Sequence, residues 1–530
     1  MARASFGQIF TIIDLASWLR WLRQEGSEGG FQLNDQTDSQ LFLGHPKGLV
    51  TLFFTEMWER MSYYGMRALL VLFMTGGLSG FNPGLGWSQI EAQAVYGIYV
   101  GLVYFMVVPG GWLADNLLGH QKAVLYGAVV IALGHLVLAV PINETFFLGL
   151  ALVVLGTGLL KGNISTIVGR LYENQGMEDK RDAGYTIFYM SINIGSTIGF
   201  VVCGYLGEKV GWHWGFGAAA VGMLLGVVSY IRYRHLLGDA GLLPNSHDEG
   251  VKERLILRSV LLFIFMVVGA GLLISGVVTI SPRDFAENFA YFLTAVAAVY
   301  FVYLYFFAGL EPDEQRKILL LLLLFVAAAA FWSGFDQSGG SLNIFARDYT
   351  DLNFFGFEIP VSWVQVFNPI MVIIFAPMFA AFWAYLAKRN LDPSYPIKFV
   401  GGVFLMALSF GVMLVAVSLA LQTGTVGVQW LLITYLLQTW GELTLSPIGL
   451  SAFSKYSPKK YTGQMFGLWF LASAIGGVLA GILGGDAMDS GLESMSPTFT
   501  YMIQYYAVIA IAILGLAWAI KKMQPKNSTK

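Results

Sequence analysis

Residues 48–76 read GLVTLFFTEMWERMSYYGMRALLVLFMTG. As a helix rising about 1.5 Å per residue, such a run exceeds the roughly 30 Å hydrocarbon core of a bilayer. Most of its side chains are apolar, yet Glu56, Glu59 and Arg60 sit where lipid should be. A charge at that depth costs about 3 kcal/mol on insertion scales and usually faces a cavity or a partner. At about 100° per residue, Glu56, Glu59, Arg60, Tyr63 and Tyr64 share one helical face. Arg60 lies one turn beyond Glu56, so those two can pair within the helix. Two acids against one base leave a carboxyl group poised to take up and release a proton.

The rest of the chain has the same character. Of its 530 residues 56% are hydrophobic and 12% charged, about half the charge of an ordinary soluble protein, and the mean hydropathy is +0.64. This excludes a soluble enzyme, a nucleic-acid binder and a secreted disulfide scaffold; Cys203 is the only cysteine. Only a helix satisfies its own backbone inside lipid, so apolar runs of about 20 residues are read as helices. They fall near 48–76, 88–114, 121–141, 145–169, 184–207, 213–234, 256–280, 286–309, 317–345, 362–387, 397–421, 428–453, 462–485 and 499–521. That makes an all-α polytopic membrane protein with fourteen spans and both termini on one side. The terminal side receives 25 of the 31 Lys and Arg residues and the opposite side 3, with Arg60, Arg67 and Lys161 at membrane depth. By the positive-inside rule the termini are expected in the cytoplasm and the protein in the plasma (inner) membrane.

Polar junctions divide the chain. Residues 1–44 form a leading segment in which 6–24 read as an amphipathic helix lying at the interface. A six-helix bundle is expected over 45–235, a cytoplasmic linker over 236–253 and an additional two-helix hairpin over 254–310. A second six-helix bundle follows over 311–523, with a tail at 524–530. Halves of this kind are typical of transporters built from repeats, although no internal repeat is strong enough in the sequence to establish one.

Further ionisable residues lie in both expected bundles: Lys161 after Gly156-Thr-Gly158-Leu-Leu, Asp336 after Phe331-Trp332-Ser-Gly-Phe335, and Glu442 after Gln438-Thr-Trp440-Gly. Charges contributed by both halves call for a central, water-accessible site between them. The pairs Gly97/Gly101, Gly195/Gly199 and Gly477/Gly481 permit close helix approach. No HExxH pair, P-loop or GxSxG turn is present, which gives no support to metal hydrolysis, ATP-driven pumping or a nucleophile elbow.

Several of these passages together resemble the proton-dependent oligopeptide transporters of the major facilitator superfamily. They are Glu56-x-x-Glu59-Arg60-x-x-Tyr63-Tyr64-Gly65, Phe188-Tyr-Met-Ser-Ile-Asn193-Ile-Gly195-Ser196, Gly156 to Asn163, Trp332 to Gln337, Glu442 to Pro447, and Gly111-Trp-Leu-Ala-Asp115-Asn-Leu-Leu-Gly119. The resemblance covers about residues 45–523; residues 1–44 depart from the usual start, and Met61 stands where the family commonly has Phe. It implies a major facilitator fold of two six-helix bundles plus two extra helices. It also implies a proton-coupled symporter, not an enzyme, that imports di- and tripeptides by alternating access with no cofactor beyond the coupling proton. The expected partners are di- and tripeptides, protons and the lipid bilayer, with no nucleic acid. Arg60 and Lys161 would face the peptide carboxylate and Glu442 its amino group. Glu56, Glu59 and Asp336 would couple protons, while Tyr64, Tyr104, Asn193, Trp332, Trp440 and Ser446 would line the pocket. From charge placement and family precedent, Lys161 is expected to pair with Glu442 in the empty site, closing the inner face, and Asp336 to hold Arg60 across the bundles. A relative carrying nitrate or an amino-acid derivative remains an alternative; a membrane-embedded enzyme is a more remote one.

Overall fold

The structure, a computed structural model, describes residues 41–42, 44–244, 281–354 and 356–522. The chain divides into two units, 1–47 and 48–530. Within the first, Leu41–Phe42 pairs antiparallel with His45–Pro46, and Gly44 at φ 80° makes the turn. The expected interfacial helix at 6–24, the span at 256–280 and the tail at 524–530 lie outside the described residues.

The second unit is helical. Its first six helices are α1 (Gly48–Thr75), α2 (Gln89–Phe105), α3 (His120–Ala139), α4 (Phe146–Asn174), α5 (Arg181–Tyr205) and α6 (Trp212–Tyr233). After the undescribed stretch come α7 (Pro282–Phe306), α8 (Pro312–Phe335), the short α9 (Ser341–Tyr349), α10 (Phe367–Lys388), α11 (Tyr395–Thr423), α12 (Gln429–Tyr456), α13 (Thr462–Met488) and α14 (Leu492–Lys522). Helices thus occupy thirteen of the fourteen expected spans. Among the described residues, eleven helical spans are long and apolar enough to cross a membrane. The two spanning-length helices that fall outside that set, α1 and α12, carry Glu56, Glu59, Arg60 and Glu442, whose polarity dilutes them.

The packing shows a repeat that the sequence hides. In the first six helices, α1 packs on α5 and α6, and α3 packs on α4 and α6. In the later set, α8 packs on α13 and α14, and α11 packs on α12 and α14, the same four pairings. The two sets meet where α2 lies along α13 and α5 along α10. Glycines make the first of these seams possible: a Cβ on Gly97 would stand 2.7 Å from the Gly481 Cα. Gly195 and Gly199 likewise let α5 press on the backbone of α1 at Met57 and Met61. Helix α7 leans on both α2 and α13, and Arg283 fixes it to the latter through Asp486 (2.9 Å) and the Ile482 carbonyl (2.9 Å).

One expected span is interrupted. The run expected as a helix over 317–345 breaks after Phe335 into a 3-10 turn, Asp336–Gly339, before α9 resumes. Tyr96 of α2 donates to the Asp336 carbonyl (2.9 Å) and Gln337 donates to the Ala480 carbonyl (2.8 Å). The Tyr96 hydroxyl thus takes up a carbonyl at the turn, and the Gln337 side chain ties the turn to α13. The Tyr96 hydroxyl lies so close to Gly339 that any side chain there would collide with it.

Candidate functional site

On α1 the face seen in the sequence is buried, with Glu56, Glu59 and Arg60 each no more than 3% exposed. The Arg60 Nε lies 2.8 Å from Glu56 and 2.6 Å from Glu59, so a single guanidinium serves two carboxylates. Glu59 meets Arg60 as an ion pair outside hydrogen-bond geometry, and the second oxygen of Glu56 has no protein partner.

Lys161, at the middle of α4, neighbours this cluster. Its Nζ stands 3.7 Å from the centre of the Tyr104 ring and 5.9 Å from that of Tyr63, within the range of cation–π attraction. None of the ion pairs among the described residues includes Lys161, so the pair with Glu442 expected to close the inner face is not made in this conformation. The aromatic faces of its own helix set hold the ammonium instead. Tyr104 is thereby placed in the site.

The buried ion pair that bridges the two helix sets is also not the one expected. Asp336 bonds Arg67, not Arg60: Arg67 Nη1 lies 3.0 Å from its Oδ1, and Arg67 Nη2 donates to the Ser338 hydroxyl at 3.1 Å. Both charged side chains are buried. The 3-10 break carries Asp336 to the end of α8, level with Arg67 two turns beyond Arg60. Sequence reading counted Arg67 at membrane depth but gave it no role. Its seven-residue spacing from Arg60, which places it on the same face, was the available signal.

In the second set, Glu442 accepts a hydrogen bond from Asn368 (3.3 Å), which also donates to Thr439 (2.9 Å), and Tyr189 of α5 faces Glu442 across the seam. Asn368 and Tyr189 were missed. Asn368 is a polar residue in an otherwise apolar run beside Pro369, a signal the sequence did carry. Tyr64, Arg67, Ser338 and Asn368 line a cleft between the sets. Trp332 and Trp440 are packed edge-on against Phe335 and Phe375 respectively, and their indole N–H groups lack partners. Asn193 is buried on α5 and bonds the Tyr189 carbonyl at 3.1 Å. Ser446 sits half-buried one turn past Glu442 on α12.

Several bonds between the sets lie toward the end remote from Gly48. Asn343 donates to the Ala68 carbonyl (2.8 Å), Arg347 to Thr75 (2.8 Å) and the Trp363 indole to the Val201 carbonyl (3.0 Å). With Arg67–Asp336, these close that end.

The model of the POT family matches residues 121–487. A peptide transporter of Yersinia enterocolitica, YePEPT, is 41% identical over 490 residues, which cover 90% of this chain and 94% of the relative. A di-/tripeptide transporter of Lactococcus lactis subsp. cremoris is 37% identical over 82% of this chain and 88% of its own. The crystal structure of a peptide transporter POT in complex with sulfate superposes with a TM-score of 0.83 at 37% identity, covering 92% of this chain and 99% of that one. A POT family transporter in complex with 5-aminolevulinic acid gives 0.82 at 32% identity, with coverage of 91% and 98%.

Proposed function

The chain belongs to the POT family, and from that premise we propose that it is a proton-coupled symporter importing di- and tripeptides by alternating access. One observation carries the reading. Among the described residues, four interior carboxylates (Glu56, Glu59, Asp336, Glu442) stand among three cations (Arg60, Arg67, Lys161), drawn from both helix sets. Fully ionised, the group carries one uncompensated negative charge. A single proton cancels it, and a zwitterionic peptide leaves the balance unchanged.

The peptide carboxylate faces Arg60 and Lys161, and its amino group faces Glu442, which Asn368 orients. Arg60 already serves two acids, so a third carboxylate at its guanidinium favours protonation of Glu59 or Glu56. Binding of peptide and proton are linked at that point. At the closed end, protonating Asp336 removes the charge that holds Arg67 and loosens the bonds to the second set. The two six-helix sets then tilt about the central site, which is the parse proposed for 45–235 and 311–523, with 254–310 outside it. Tyr64, Tyr104, Asn193, Trp332, Trp440 and Ser446 shape the walls. The Lys and Arg distribution supports a plasma-membrane protein with cytoplasmic termini. No chemical step, cofactor or nucleic acid enters the cycle.

Labelled dialanine uptake into liposomes, with and without an imposed pH gradient, tests the proposal. Intact dialanine should accumulate only with the gradient. Uptake indifferent to the gradient removes the coupling, and hydrolysed dialanine removes the transporter reading. Blocking either terminus, as the amide or the N-acetyl form, should weaken binding; equal affinity overturns the two-ended grip. A second reading, transport of an amino-acid derivative, is favoured by the neighbour bound to 5-aminolevulinic acid, which also carries an amine and a carboxylate. Competition by such compounds against dialanine separates the two.

A further inference from the structure

Glu208 lies outside the set of interior charges and belongs to no motif noted in the sequence. After α5 the chain makes a π turn, Leu206–Val210, that holds Glu208 half-buried. Its carboxylate crosses to the other helix set. It accepts from the Val361 N–H (2.7 Å), the Ser362 N–H (3.0 Å) and the Ser362 hydroxyl (2.6 Å). Val361 and Ser362 open the 3-10 turn Val361–Val366 that runs directly into α10. Helix starts leave N–H groups unpaired and present a positive end, so a carboxylate there satisfies both needs. The approach depends on Gly204, where a Cβ would stand 1.9 Å from the Ser362 hydroxyl oxygen. Six residues past Ser362, the held helix carries Asn368, the residue that orients Glu442.

We infer that Glu208 is a proton-responsive latch of the closed end: as a carboxylate it clamps the start of α10 to α5, and protonation from that side releases it. A protonated carboxyl group accepts more weakly and no longer complements the helix start. The charged groups around it are few. Lys209 on the same turn is paired with Glu358 at 3.0 Å, Arg67 on the neighbouring α1 is held by Asp336, and His213 of α6 is turned to the Leu138 carbonyl. The held turn, 361–366, has no titratable side chain. Acidifying the outer medium therefore opens the carrier toward the side where protons are plentiful. Glu208 touches no substrate, so it is a positioning residue, and the inference rests on the symport reading.

The test uses the full chain in liposomes, with dialanine uptake followed across external pH at fixed internal pH and counterflow followed at equal pH. Glu208→Gln keeps the shape and an acceptor without the charge. Its half-maximal uptake should move about one unit to higher external pH, equivalent to a tenfold shift in the gate equilibrium. Ser362→Ala should move it the same way by less, and both should leave the counterflow KM within about twofold of the parent. Profiles that superpose on the parent, or a lower rate with no shift, overturn the latch. If Glu208→Gln fails to fold, Ser362→Ala decides alone. A parent protein without gradient-driven uptake removes the symport reading; a coupled parent with unshifted variants removes only the latch.

Discussion

Replacing Asp336 with Asn keeps the size and most of the hydrogen-bonding capacity of the side chain but removes its charge. In the structure Arg67 and Asp336 are 2–3% exposed and 3.0 Å apart. Deleting one partner of such a pair leaves the other buried and uncompensated, at a cost of about 3 kcal/mol or more. That disfavours the state with the outer end closed by roughly 150-fold. The same substitution leaves three interior carboxylates against three cations, so the site is neutral without a proton. Two consequences can be measured in liposomes. Dialanine counterflow, which needs no net proton movement, should persist and lose its pH response. Accumulation driven by a pH gradient should vanish. The double variant Asp336→Asn/Arg67→Gln removes both charges and should recover outer closure, because no buried cation is stranded. Undiminished gradient-driven accumulation in Asp336→Asn would refute the assignment of this pair to proton coupling.

Further expectations concern the grip and the seam. Glu442→Gln should raise the KM for dialanine about tenfold or more through the loss of a charge-assisted bond, while N-acetyl-dialanine, already without an ammonium, is little affected; equal losses for both would contradict the amine role. Tyr104→Ala should weaken dialanine binding roughly tenfold by freeing the Lys161 ammonium, whereas Tyr104→Phe keeps the ring and stays near the parent; KM values from uptake decide. Gly97→Ala forces a Cβ to 2.7 Å from the Gly481 Cα and should destabilise the closed seam by about 1–3 kcal/mol, read as a lowered Tm and slower turnover. Unchanged melting would mean that α2 and α13 do not bear on each other as tightly as they lie here.

The span pattern was legible because lipid imposes a single solution on the backbone, so helix positions follow from apolar length. The charged face of α1 was legible for the same reason, since an acid in a lipid-length run is conspicuous. Partners across the seam were not. Which cation meets Asp336 depends on where α8 stops, and it stops where Tyr96 takes up a carbonyl of the turn and Gln337 ties the turn to Ala480, both partners distant in the sequence. An uninterrupted α8 would have left the choice between Arg60 and Arg67 open. Lys161 was rightly placed among the interior charges, yet its ring partners prevailed over the distant acid because Tyr104 stands beside it. The repeat is invisible in residue identities because packing preserves which helices touch, while the side chains at each contact are free to differ.

The odd number of interior charges has an electrical corollary. Loaded with one H⁺ and a zwitterion, the carrier's interior is neutral, and a voltage across the bilayer exerts no force on its inward swing. Emptied and deprotonated, the same cavity bears one net negative charge as it turns back outward. An interior-negative potential repels that charge toward the outside, with about 2.3 kcal/mol available per 100 mV if the whole field is crossed. Voltage would then act on the homeward stroke rather than on delivery, and polarised vesicles should speed net uptake while leaving exchange of cargo for cargo untouched.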